Sequence, residues 1–312
     1  DGHWSAAHFA DRGVGAVESP GAGRPVRDLR ATSLLVLTLL AEGVTPDDSS
    51  FGRSLRLGTD WLRSRLDEKG RIGLHDGPDW LLDHAIATYA LCETARLTQQ
   101  PEVRALLDPT LEALRTNLVK TRQSADTELI TWSSMCARSA ARVERDLPTE
   151  SSERAGLSNA IDRLRTLVEE LRPTDFPDSQ RGRAAYLLLE CMRWKARGPE
   201  STDADVDRLL EIAGPFLAKG WPLDMDDPLV VFYATIALYD LQSIRGGREI
   251  WSRVERRLTK SVIMTQLHDG DWKGTWDPQG EFSEDGGRMC TTAVHMLILQ
   301  VYYRYSALDV VD

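Results

Sequence analysis

Apolar and polar positions alternate along this chain on the scale of whole helices. Six segments are apolar nearly all round and open on polar or charged residues: Asp28 to Ala41, Leu82 to Leu97, Thr127 to Val143, Arg183 to Lys195, Pro228 to Gln242 and Cys290 to Tyr305. Their starts lie about 45 to 60 residues apart. In ATSLLVLTLLA and AIATYALCETA, small and apolar residues cover more than one face, the pattern of a buried helix. Between these segments run helices with one wet face, at Phe51 to Leu66, Glu102 to Val119, Ser151 to Leu171, Asp203 to Leu217 and Arg248 to Met264. In Asp203 to Leu217 the apolar Val206, Leu209, Leu210, Ile212 and Ala213 fall on one stripe, and the other positions are mostly charged.

Buried and half-exposed helices therefore alternate as helical hairpins. A closed ring satisfies that alternation, with buried helices inside and amphipathic helices outside. The expectation is an all-α chain, an α/α toroid of about six inner and five to six outer helices, formed as a single domain over residues 1–312. An open solenoid is the alternative, but it leaves both faces of the inner row partly exposed.

The links repeat as well. Gln266, Gly270 and Trp272 read Q-x-x-x-G-x-W, and Leu66, Gly70 and Ile72 follow Trp61 and Leu62 at matching spacing. The chain opens on Asp1, Gly2, His3 and Trp4, which look like the tail of one more copy, and Phe216, Leu217, Gly220 and Trp221 form a shortened one. Glycine supplies the positive φ that lets a chain leave a helix, and tryptophan packs over the junction. On this alignment Trp272 and Trp276 are expected to be largely buried. One outer helix is missing from the count, so the expectation is that it lies upstream of Asp1 or that the ring has a seam there.

The Q-x-x-x-G-x-W element followed by a small-residue-rich helix resembles the QW repeat of squalene–hopene and oxidosqualene cyclases. The same helical pairs occur in the β subunits of protein prenyltransferases. The run Gly287 to Ala293, followed by Val301 to Tyr305, is similar to bacterial proteins labelled prenyltransferase or squalene-oxidase repeat proteins. The resemblance spans nearly the whole chain as a repeat, with one QW copy complete, and it implies a terpenoid-cyclase-like α/α toroid.

Composition narrows the partners. A net charge of −10 argues against nucleic acid, because phosphate binding needs a basic face. No stretch approaches the roughly 20 apolar residues of a membrane span. The four cysteines, Cys92, Cys136, Cys191 and Cys290, lie far apart inside apolar runs and read as buried free thiols. Both a cytoplasmic location and a periplasmic or secreted one after removal of a targeting segment fit these features.

In the toroid that the resemblance implies, the inner helices run parallel and their starts gather at one mouth of a central cavity, where helix-end N–H groups point outward. Arg30, Asp83, His84, Asp126, Glu128, Arg183 and Arg288 stand at or near such starts and are candidate ligand contacts. Helix capping accounts for an acid at a start, but not for the arginines. Tyr89, Trp132, Tyr186, Phe232 and Tyr233 lie in inner helices as candidate cavity aromatics.

Asp224, Met225, Asp226 and Asp227 read D-x-D-D just before an inner helix. In class II terpene cyclases, which this arrangement resembles, the third-position acid, here Asp226, protonates an alkene, with Asp224 and Asp227 beside it. That chemistry needs a protonated carboxyl in a water-poor pocket. The family follows its motif with Thr. Here Pro228 follows, and proline at the first helical position makes Asp227 an N-cap. His295, a conceivable partner of Asp226, lies well inside its helix and reads as a core residue. Asp226 and Cys290 could start a prenyltransferase-like zinc site, but Thr291 and Thr292 occupy the place where His is wanted, so no metal and no cofactor are expected. The favoured reading is a non-catalytic binding or interaction protein with a central pocket for an isoprenoid or lipid-like ligand. Its partner would be an apolar small molecule or another protein. The alternatives are a class II terpene cyclase using Asp226, and a structural module of a larger protein.

Overall fold

The computed structural model describes residues 2–8, 21–73, 79–122, 126–171, 173, 177–218, 221 and 227–301. Among these residues the chain is helical, and extended pairing is limited to two isolated antiparallel bridges. No helix among them is long and apolar enough to cross a membrane. The chain divides into two compact units, Asp1–Thr174 and Asp175–Asp312.

The first unit holds α1 (Asp28–Ala41), α2 (Gly52–Ser64), α3 (Trp80–Thr98), α4 (Pro101–Arg104), α5 (Leu107–Lys120), α6 (Thr127–Asp146) and α7 (Ser152–Glu170). α3 packs between α1 and α6, and these three are buried nearly all round. α2 lies against α1, α5 against α3 and α7, and α7 against α6, each with one wet face. The second unit holds α8 (Gln180–Arg197), α9 (Asp203–Leu217), α10 (Pro228–Asp240), α11 (Gly247–Met264) and α12 (Gly280–Leu299). Here α10 packs between α8 and α12, with α9 against α8 and α11 against α10 and α12. The buried and amphipathic helices thus alternate as the hydrophobic pattern predicts.

Three rungs fix α8 and α10 as parallel neighbours. Arg181 pairs with Asp227 at their starts, the Cys191 thiol donates to the Ala237 carbonyl at 3.7 Å midway, and Lys195 meets Asp240 at 2.5 Å near their ends. In the first unit the Cys136 thiol of α6 donates to the Ala85 carbonyl of α3 at 3.2 Å. All four cysteines are buried and outside any disulfide, and burial pushes the Cys92 and Cys136 thiols up, so neither is poised to ionise.

Helix starts follow local chemistry. Asp126, Ser151 and Ser179 accept the N–H of Leu129, Arg154 and Gly182, and Thr202 and Asp205 form a capping box, each cap worth about 1 kcal/mol. Most boundaries fall within three residues of the sequence expectation, and two elements depart further. The segment from Glu102 to Val119 is broken into α4 and α5, because Pro109 in a continuous helix would clash with the Ala105 carbonyl. With α5 starting at Leu107, Pro109 falls in its first turn, where no N–H is needed. The last buried helix begins at Gly280 instead of Cys290, and breaks at Gly287 (φ 67°, ψ −172°).

The links share a rule finer than the spacing suggests. Gly2, Gly70 and Gly274 have positive φ of 98°, 77° and 86°. Two residues later, a backbone N–H reaches the side chain at the fifth position of the following buried helix. Trp4 donates to Thr32 Oγ1 at 3.1 Å, Ile72 to His84 Nδ1 at 3.2 Å, and Trp276 to Thr292 Oγ1 at 3.3 Å, where Thr292 is the fifth residue counted from Arg288 after the break. The two bridges, Leu66 with Ile72 and Gln266 with Trp276, give the same register. Ile72 therefore corresponds to Trp276 and not to Trp272, because the later link carries extra residues around Gly270. Trp276 is 2 % exposed and donates its indole N–H to the Val262 carbonyl at 2.8 Å. Trp272 is only half-buried, with the Arg288 guanidinium 5.5 Å from its ring centre.

Candidate functional site

Pairing dominates the helix starts of the first unit. Arg27, just ahead of α1, and Arg30, in its first turn, lie 2 % and 4 % exposed beside a fully buried Asp83 in the first turn of α3. One Asp83 oxygen accepts from Arg30 Nε at 2.6 Å and the other from Arg27 at 3.1 Å, while Arg27 also pairs with Asp79. Cations at helix N-termini oppose the helix dipole, and the acids of the neighbouring helix offset that. Arg27 and Asp79 did not figure among the sequence candidates. The signal for them was the spacing: Arg27 and Arg30 at i, i+3, and Asp79 and Asp83 at i, i+4, put each pair on one helical face.

His84 is fully buried, stacks on Trp80 with ring centres 5.3 Å apart, and accepts the Ile72 N–H. Trp80 in turn donates its indole N–H to the Ile72 carbonyl at 3.0 Å. His84 is thus built into the link and does not stand at an open mouth. Burial pushes its imidazole down to about 4, against a weaker opposing pull from the Thr110 backbone. Asp126 is exposed and caps α6, and Glu128 is buried in that helix's first turn.

In the second unit Arg181 pairs with Asp227 at 2.5 Å and lies 5.8 Å from the Phe282 ring centre. Asp227 also accepts the Leu229 N–H at 3.0 Å, the N-cap geometry that Pro228 predicts. Arg183 donates to the Pro177 carbonyl at 2.8 Å. Arg288 holds the link through Thr275 Oγ1 at 3.1 Å and through Asp277. Asp224 and Asp226 lie outside the described residues. His295 stacks on Trp276 with ring centres 5.1 Å apart and contacts the Thr291 carbonyl at 2.8 Å, consistent with a core residue.

The candidate aromatics are all buried. Tyr89 and Trp132 meet edge to face at 5.7 Å, and Phe232 and Tyr233 are neighbours at the same separation. Tyr186 is turned toward the amphipathic α9, since its hydroxyl accepts from Arg208 of that helix at 2.9 Å. Among the described residues no cluster of His, Cys, Asp or Glu could hold a metal ion. No protein-family model matches the chain, and comparison with curated proteins and with solved structures returns no match.

Proposed function

We propose that the chain is a non-catalytic binding or interaction protein on a terpenoid-cyclase-like α/α toroid, with a central pocket for an isoprenoid or lipid-like ligand. The observation that carries this reading is the state of the helix starts. Each unit has a row of three buried, apolar helices, and the charged groups at their starts are engaged with one another, with caps or with links. Parallel rows of apolar helices backed by amphipathic ones are the parts from which such a ring is built. A ligand of matching chemistry would be held by apolar surface, with little polar anchoring.

The cyclase alternative puts a proton donor at Asp226. Its neighbour Asp227 serves as an N-cap paired with Arg181, and the Thr that follows the family motif is Pro228 here. Both features support the scaffold reading. The test is retention of ligand. Native mass spectrometry after incubation with squalene, farnesyl diphosphate or a long-chain polyprenol should show stoichiometric complexes. Absence of any complex across this series would reject the pocket.

A further inference from the structure

The outward face of α11 differs from the rest of this acidic protein. Between Arg245 and Met264 the sequence holds six cations and two acids, in a chain whose net charge is −10. Trp251, Val254, Leu258 and Val262 form the buried stripe of the helix. Arg253, Arg256 and Lys260, at i, i+3 and i+7, fall on the opposite side and are exposed. The same stripe ends on Ile263 and Met264, which are 45 % and 67 % exposed. From Arg253 to Met264 it runs about 16 Å along the helix.

None of these three cations is in an ion pair with another described residue, although Glu249 and Glu255 lie on the same helix. Arg253 and Arg256 donate Nε to carbonyls one turn back, at Glu249 and Ser252. Elsewhere on the surface, arginines find acids at helical spacing, as Arg115 does with Glu112 and Arg63 with Asp60. A stripe of three exposed cations, none in an ion pair with a described residue and tipped by exposed apolar side chains, has the chemistry of a helix lying on an anionic bilayer even with the single exposed acid Glu249 at its start.

We propose that the outward face of α11 docks on an anionic lipid surface, with Arg253, Arg256 and Lys260 at the headgroups and Ile263 and Met264 entering the acyl boundary. A stripe of long flexible cations along one exposed helix face suits headgroups better than a shaped protein groove, because none of the three is held in an ion pair with a described residue and each can meet a separate headgroup. The inference is independent of what the proposed pocket holds.

The experiment is co-sedimentation of the intact chain with phosphatidylcholine vesicles, with and without phosphatidylserine, at low and raised salt. Retention should require phosphatidylserine and fall with salt. Replacing Arg253, Arg256 and Lys260 together by Gln should weaken partitioning about 100-fold, at about a kilocalorie per mole for each cation. Ile263→Ser with Met264→Ser should weaken it about 10-fold. Both variants keep the buried stripe, and an unchanged thermal melt confirms their fold. Equal binding to neutral vesicles, no binding by the intact chain, or undiminished binding by a folded triple variant would overturn the proposal. So would capture by polyglutamate without binding to vesicles, which would assign the face to an acidic protein.

Discussion

With both carboxylate oxygens taken by Arg27 and Arg30, Asp83 joins the starts of α1 and α3 inside the fold. Truncating one partner of such a buried set leaves charges with neither water nor counter-ion. Asp83→Ala should therefore cost about 3–5 kcal/mol, whereas Glu170→Ala, which removes the half-exposed partner of Arg122, should cost under about 1 kcal/mol. Urea unfolding of the two variants checks the contrast, and equal midpoints would reject it. His84 gives a pH signature. The unfolded chain takes up this proton near 6.5 and the folded chain only near 4. Stability is full above the first value and falls as pH drops between the two, by about 1.4 kcal/mol per pH unit and about 3 kcal/mol in all. Burial lowers His295 in the same direction. His84→Gln should flatten the difference in stability between about pH 7.5 and about pH 5, measured by urea unfolding, and an unchanged slope would contradict it. The sequence marked Asp83, His84, Arg30 and Arg288 as polar groups at helix starts; the first three lie there, whereas Arg288 follows the break at Gly287 inside α12. Their partners were not legible, because pairing depends on the register between helices, which hydrophobic periodicity does not carry.

Among the elements, the links depart furthest from what their spacing predicts. The Q-x-x-x-G-x-W spacing directed attention to Trp272, but the repeated contact runs through Gly274 and Trp276. Spacing alone could not separate the two, since both Gly270 and Gly274 precede a Trp by two residues and both have positive φ. The bridge to Gln266 and the bond to Thr292 decide it. Trp276→Ala should cost about 3–5 kcal/mol, as for a buried aromatic truncation, and Trp272→Ala about 1 kcal/mol, mainly its contact with Arg288. Thermal melts of the two variants check the order, and a larger loss for Trp272 would reverse the assignment. The helices themselves were far more legible. α1 and α9 run between the residues their patterns predicted, because a long apolar or one-striped run has few competing readings. The missed boundaries lie at Pro109 and Gly287, where a single backbone property overrides the pattern.

Across the whole molecule, buried and amphipathic helices alternate in both compact units, as expected of an all-α hairpin repeat. The function was less legible, because hydrophobic periodicity fixes helices and not chemistry, and the two proposed readings, binding and cyclisation, differ in the surroundings of a single carboxyl. Asp227 beside it is engaged with Arg181 and with the start of α10, which favours a passive role. The proposal that this scaffold binds without catalysis is tested most directly by incubating the intact chain with squalene and with polyprenyl diphosphates, and resolving the extract by gas chromatography and mass spectrometry beside Asp226→Asn. Each compound should be recovered unchanged, and the two proteins should give the same profile. A cyclised product formed by the native chain and lost in Asp226→Asn would contradict it.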